Sequence, residues 1–207
     1  IASEITNPDA ILLRSYKMHD MEIPPTVKAI GRAGAGVNNI PVDKMTKLGI
    51  PVFNAPGANA NAVKELVLTG LLMAARNIPG AMDFATGLSG RDDEVSKSVE
   101  SGKKNFVGFE LPSKTLGVIG LGAIGLRVAN AALSLGMNVV GYDPQISVER
   151  AWQLSSGVEQ AVSIDHLFSK SDAVTVHVPL LEATCGIVSA ARINMLPAGG
   201  VIVTWAR

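Results

Sequence analysis

The stretch Leu116-Gly117-Val118-Ile119-Gly120-Leu121-Gly122-Ala123-Ile124-Gly125 decides the fold. A glycine-rich G-x-G-x-x-G run is weak alone, because glycine turns are common. Here it follows an apolar run that reads as a strand, Leu116–Ile119, and opens an amphipathic segment that reads as a helix, Ile124 to Leu135. In that context each glycine has a task. Gly120 makes the tight turn, Gly122 lets backbone approach a pyrophosphate, and Gly125 lets the helix pack on the strand. Ala123 and Ile124 stand at the helix amino terminus, whose free N–H groups and partial positive charge suit phosphate. A second strand, Asn138–Tyr142, ends at Asp143, 23 residues beyond Gly120. A carboxylate at about that distance accepts hydrogen bonds from an adenosine ribose and repels a 2′-phosphate. Pro144 and Gln145 follow, with no arginine beside them, so NAD is expected in preference to NADP.

Downstream, the pattern continues with helix Ile164–Lys170, strand Ala173–Val178, a helix near Ala190–Met195 and strand Val201–Thr204. Upstream, Ala10–Leu13, Lys28–Arg32 and Pro51–Asn54 read as strands. A helix is expected at Val42–Leu48, with Gly49 ending it. Short apolar runs alternating with helices predict an α/β protein with parallel sheets. The expected class is a doubly wound Rossmann-type sheet over residues 59–207, preceded at 1–58 by part of a flavodoxin-like α/β unit that lacks its first strand. Between them a helix is expected from Asn59 to Asn77. Its centre, Leu66–Ala75, is apolar all round and should be buried on more than one face, between domains or at a subunit contact. A polar helical stretch, Pro79–Ser101, reads as a surface element.

Composition narrows the function. Eighteen basic residues balance 18 acidic ones, and no basic tract is interleaved with aromatics, so nucleic acid is not the expected partner. The longest apolar run is shorter than a membrane span and follows Lys64-Glu65, so no membrane partner is expected either. The lone Cys185 cannot form an internal disulfide, which favours a reducing, cytoplasmic compartment. No Cys/His cluster predicts a metal, and His19 and His166 lack partners at ligand spacing. The start at Ile1 and the stop just past a strand lead us to expect a longer parent chain.

Five segments then carry a resemblance: Arg32-Ala33-Gly34-Ala35-Gly36-Val37-Asn38-Asn39-Ile40, Asn54-Ala55-Pro56-Gly57-Ala58-Asn59, Val118–Gly122, His177-Val178-Pro179-Leu180 and Ala206-Arg207. Their order resembles the D-2-hydroxy-acid dehydrogenases, and within them the D-3-phosphoglycerate dehydrogenase branch most. That resemblance implies two similar domains with the active site in the cleft between them. It implies NAD-dependent oxidation of a small-molecule 2-hydroxy acid, most closely 3-phosphoglycerate, and a homodimer packed across the helix that starts at Asn59.

By the same resemblance Arg207 is the catalytic, carboxylate-binding arginine, its guanidinium fork matching a carboxylate at two points. The family's catalytic Glu and His lie beyond the matching arginine. Thr204 stands where the family usually has Asn, and Trp205 follows it. Arg14-Ser15 resembles the pair that contacts the substrate phosphate, and Gly34-Ala35-Gly36 the loop that holds the substrate carboxylate, with Arg32 adding positive potential. Asn59 matches an asparagine at the domain crossing and equally suits a helix N-cap. His177, Val178, Pro179, Thr184 and Ala206 are expected to line the cofactor, His177 on the adenine side and not as a proton relay. Two other readings stay open: a dehydrogenase of a non-phosphorylated acid, and a non-catalytic NAD sensor on this fold.

Overall fold

The structure, a computed structural model, describes residues 6–205. The chain divides into two compact units, Ile1–Asn61 and Ala62–Arg207. In the first, β1 (Ala10–Leu13), β2 (Ala29–Arg32) and β3 (Val52–Asn54) form a parallel sheet in the order β1-β2-β3, with Leu13 opposite Arg32 and Arg32 opposite Asn54. Helix α1 (Val42–Lys47) lies between β2 and β3 in the chain and buries Met45. Gly49, at φ +69°, supplies the left-handed turn that a residue with a Cβ would resist. The core of this unit is Leu13, Met18, Val27, Ile30, Ile40 and Met45.

Five parallel strands build the second unit: β4 (Thr115–Ile119), β5 (Asn138–Tyr142), β6 (Val158–Gln160), β7 (Ala173–Val176) and β8 (Val201–Thr204). Their spatial order is β6-β5-β4-β7-β8. The chain therefore runs outward from β4 through β5 to β6, then returns to β7 on the other side of β4. That reversal makes the carboxyl ends of β4 and β7 a topological switch point, where open α/β sheets bind ligands. Alternation along the strands feeds two cores. Leu116, Val118, Val139 and Ala173 face a cluster with Val128, Ala129 and Ala132 of α5 (Gly125–Ser134) and Val67, Leu71 and Ala75 of α2 (Ala60–Ala75). Ile119, Val140, Val174 and Val176 face the other way, onto Leu167 and Phe168 of α7 (Ile164–Lys170). Gly117 is required by this second layer, since a Cβ there would stand 2.5 Å from Leu167 Cδ2. This is the doubly wound parallel sheet that the glycine run and the alternation predict.

Several expectations need correction. Helix α2 ends at Ala75, and Asn77 takes a left-handed φ of +48°. It is buried on one face only within this chain: Val67, Leu71 and Ala75 are enclosed, while Leu66 is 48% exposed and Leu72 44%. The single helical stretch expected over Pro79–Ser101 is two helices, α3 (Ile78–Thr86) and α4 (Asp92–Gly102). Gly87 and Gly90, the latter at φ +125°, interrupt it, and Asp92, Asp93 and Glu94 start the second helix on the favourable side of its dipole. Strand β6 and helix α6 (Val148–Gln153) were not expected at all. The short α8 (Ala190–Ile193) completes the unit.

Candidate functional site

Gly120 to Gly125 join β4 to α5 at the switch point. Gly120 adopts φ +88°, and a Cβ on it would stand 2.8 Å from Val178 Cγ1 and 3.2 Å from the His177 carbonyl carbon. Two strand ends therefore meet at a residue that must lack a side chain. Gly125 is more constrained still, because its Cβ would lie 1.9 Å from the Gly120 carbonyl oxygen. Gly122 differs. Among the described residues the nearest atom to its Cβ position is Arg150 Nη1 at 3.8 Å, so their packing does not require glycine there. What a side chain at Gly122 would obstruct is the space above the loop.

Backbone donors face that space. Gly120 N–H donates to the Tyr142 carbonyl at 2.8 Å, and Leu121 N–H donates to Asp143 Oδ2 at 2.9 Å. The N–H groups of Gly122, Ala123 and Ile124 find no acceptor among the described residues. They sit at the start of the ten-residue α5, whose terminus carries partial positive charge. Asp143 closes the other side. Its Oδ1 accepts from Gln145 N–H at 2.9 Å, so both carboxylate oxygens are held while each keeps a lone pair for a further donor. Pro144 is exposed beside it. Free N–H groups, an open glycine and an oriented carboxylate at the end of β5 are the donor and acceptor set that a dinucleotide needs.

His177, Val178 and Pro179 follow β7 directly. His177 N–H donates to the Ile119 carbonyl at 2.8 Å, locking this segment beside the loop. Its Nε2 lies 2.9 Å from Thr175 Oγ1, a fully buried hydroxyl in an otherwise apolar strand. Burial pushes the His177 pKa down to about 4, so the ring is neutral near pH 7. An imidazole whose pKa lies so far below neutrality is a weak base, and so a poor proton relay near pH 7. Thr184 Oγ1 accepts from Leu181 N–H at 2.8 Å and donates to the Pro179 carbonyl at 2.5 Å, closing the turn that follows. That local role was not anticipated. Ala206 and Arg207 lie outside the described residues.

In the first unit, Arg14-Ser15 and Gly34-Ala35-Gly36 come together at the carboxyl ends of β1 and β2. The Arg14 carbonyl accepts from Arg32 Nε at 3.1 Å and from Asn39 Nδ2 at 3.3 Å. Asn39 Nδ2 also reaches the Tyr16 carbonyl at 2.8 Å, and its buried Oδ1 finds no partner among the described residues. The Arg32 guanidinium lies across Gly34, where a Cβ would meet Nη1 at 2.0 Å. Asn54 Nδ2 donates to the Ala35 carbonyl at 2.7 Å, and Ala55 N–H to that of Gly34 at 3.0 Å. Arg14 and Ser15 themselves are exposed. Asn59 is exposed and immediately precedes α2.

No site role was expected for Asn39, Asn54, Thr175 or Arg150. Thr175 carried a signal, being the one polar residue in the strand Ala173–Val176. The asparagines gave none, because loop asparagines are common turn residues. Among the described residues, no group of three or more His, Cys, Asp or Glu side chains is arranged to hold a metal ion, and no helix is long and apolar enough to cross a membrane.

Comparison with known proteins places this geometry. Residues 72–207 match the family described as D-isomer specific 2-hydroxyacid dehydrogenase, NAD binding domain. The chain is 40% identical to D-3-phosphoglycerate dehydrogenase of Archaeoglobus fulgidus over 210 residues, covering 99% of this chain and 37% of that protein. It is 40% identical to the same-named protein of Methanocaldococcus jannaschii, covering 100% and 38%. It thus spans less than two-fifths of the length of these curated relatives. Among solved structures it is similar to NAD+-bound 3-phosphoglycerate dehydrogenase of Entamoeba histolytica, with TM-score 0.73, 31% identity, and coverage of 99% of this chain and 58% of that one. It is also similar to D-mandelate dehydrogenase of Rhodotorula graminis, with TM-score 0.79, 26% identity, and coverage of 100% and 61%.

Proposed function

Given that this chain belongs to the D-isomer specific 2-hydroxyacid dehydrogenase family, whose NAD-binding domain it carries over residues 72–207, we propose that the protein bearing it oxidises 3-phosphoglycerate to 3-phosphohydroxypyruvate. The observation that carries the substrate half of this reading is the cation and hydroxyl of Arg14-Ser15, braced by Arg32 and Asn39 beside the Gly34–Gly36 loop. NAD, when bound, supplies the acceptor for the hydride from the hydroxyl-bearing carbon. In this reading the free N–H groups of Gly122, Ala123 and Ile124 hold its diphosphate, and Asp143 accepts from its ribose. Neutral His177, with Val178 and Pro179, walls the adenine side. Arg14 and Ser15 hold the substrate phosphate, backbone N–H groups of Gly34–Gly36 take its carboxylate, and Asn59 lies at the crossing between a substrate domain (1–58) and a cofactor domain (59–207). The family resemblance assigns Arg207 to a substrate carboxylate, where a guanidinium would polarise the forming carbonyl.

The exposed apolar side chains Leu66, Leu72 and Met73 of α2 support a homodimer, since a second copy would cover a surface this chain leaves open. The compartment that fits these features is the cytoplasm.

The test compares NAD reduction with 3-phosphoglycerate, glycerate and lactate, in wild type and Arg14→Ala. We expect kcat/KM for 3-phosphoglycerate to fall by about 10- to 100-fold in the variant, with NAD affinity unchanged. An equal loss for the unphosphorylated acids would remove the phosphate role of Arg14. It would favour a dehydrogenase of a simpler acid.

A further inference from the structure

We propose that Arg150 clamps the cofactor's diphosphate, a contact supplied by α6 and not by the glycine run; this rests on the loop being the NAD site. The loop has no cation of its own. Leu121, Ala123 and Ile124 are uncharged, Leu121 is buried, and the Leu121 N–H is already engaged by Asp143. A helix terminus offers roughly half a positive charge, which leaves most of a diphosphate dianion uncompensated. Gly122 is where backbone comes closest to such a group. The side-chain atom nearest the space over Gly122 is Arg150 Nη1, 3.8 Å from where a Cβ would stand.

The helix that carries this arginine is held in place. Ser147 Oγ accepts the backbone N–H of Arg150 itself at 3.3 Å, fixing the start of α6. Asn130 fixes the far end: its Nδ2 donates to the Gln153 carbonyl at 2.9 Å, and its Oδ1 accepts from Ser155 N–H at 2.9 Å. Asn130 belongs to α5, the helix whose amino end faces the phosphate space. So α6 hangs from the element that presents the free N–H groups, and Arg150 reaches back over them. Among the described residues its guanidinium joins no ion pair, although Asp165, Glu159 and Asp172 each hold a cation. A planar guanidinium fork can meet two phosphate oxygens at once, which an ammonium cannot.

Binding to the full chain tests this without turnover. Trp152, on the same helix as Arg150 and 85% exposed, is the fluorescent reporter. NADH, ADP-ribose, NADPH and adenosine are titrated into wild type, Arg150→Ala, Arg150→Lys and the charge-matched surface control Lys97→Ala. Arg150→Ala should weaken NADH and ADP-ribose alike, by about 10- to 30-fold, and flatten their salt dependence. Adenosine, lacking phosphate, should bind as before. Arg150→Lys should recover part of the loss, and Lys97→Ala should change nothing beyond about twofold. ADP-ribose binding equally well to wild type and Arg150→Ala would overturn the clamp while leaving the NAD site intact. A loss confined to NADPH would overturn it too, making Arg150 a contact for a 2′-phosphate. A matching loss for adenosine would make it an adenine or packing contact. Failure of wild type to bind NADH at all would sink the loop reading, and the clamp with it.

Discussion

The two units use the same local plan, parallel strands with polar loops at their carboxyl ends, yet they are built to different tolerances. In the second unit both faces of the sheet are covered, and the loop glycines answer to specific atoms: Gly120 to Val178, Gly125 to the Gly120 carbonyl. In the first unit one cluster around Ile30 and Met45 makes the core, Leu12 is 82% exposed, and Phe53 62%. A cavity of about 440 Å³, lined by Ile11, Leu13, Met18 and Met21 among others, opens beside Arg14 and Ser15. The difference lies in what fixes the loops: close glycine contacts over-determine the main chain in the second unit, whereas the strand ends of the first are braced by the side chains of Arg32, Asn39 and Asn54.

The sharpest way to break this contrast is to add one methyl group to each loop. In Gly125→Ala the new Cβ would stand 1.9 Å from a backbone oxygen, so α5 must move off β4. We expect a loss of about 3 kcal/mol or more, or no folded second unit. In Gly36→Ala the new Cβ meets only Asn38 Oδ1 at 3.4 Å, an ordinary contact, and stability should change by about 0.5 kcal/mol or less. Denaturant unfolding reads both. A Gly125→Ala protein with wild-type stability would mean the second unit is no more constrained than the first.

That asymmetry also explains what the sequence made legible. Wherever packing forces a residue type, the pattern shows it: the glycine run, the alternating strands β4, β5 and β7, and Asp143 at its spacing. Strand β6 was missed because Val158-Glu159-Gln160 has one apolar residue and sits at the sheet edge. Helix α6 was missed because its apolar pair, Val148 and Trp152, points to solvent and not to a core. Arg150 was invisible for the same reason. Inspecting the two residues after Asp143 for a cation could not find one that the fold returns to the loop from seven residues away. In the first unit, the bracing asparagines act through backbone carbonyls, which leave no periodic trace.

A smaller effect separates the units by pH. The folded pKa of His177, about 4, lies below the usual histidine value of 6.5. Between those values the unfolded chain binds a proton that the folded chain refuses, so stability falls as pH drops through that window. With allowance for the solvent that reaches the ring, the contribution is about 1 to 2 kcal/mol. His177→Asn should remove that part of the slope between pH 7 and pH 4.5, whatever the carboxylates contribute in both proteins. Unfolding midpoints at the two pH values measure it. An unchanged slope would mean the ring is as solvated as any histidine in the first unit.

The smallest expected effect lies at the helix starts. In the second unit α6, α7 and α8 begin after Ser147, Ser163 and Ser189, whose hydroxyls accept the N–H groups of Arg150, His166 and Arg192. In the first, α1 begins after Pro41, with no side-chain cap. Ser163→Ala should cost about 1 kcal/mol, because an N–H at the start of a helix anchored in the core by Leu167 and Phe168 loses its acceptor. The reverse change, Pro41→Ser, should do almost nothing. A new cap would contribute about 0.5 to 1 kcal/mol, but releasing the proline restores freedom to the unfolded chain and offsets about 0.4 to 1 kcal/mol of it. Equilibrium unfolding of the two variants therefore weighs one device against the other: the second unit satisfies the starts of α6, α7 and α8 with hydroxyls, the first begins α1 with a stiff chain. A gain well above 1 kcal/mol in Pro41→Ser would show that rigidity was no substitute there, and that the first unit is looser at its helix as well as at its sheet.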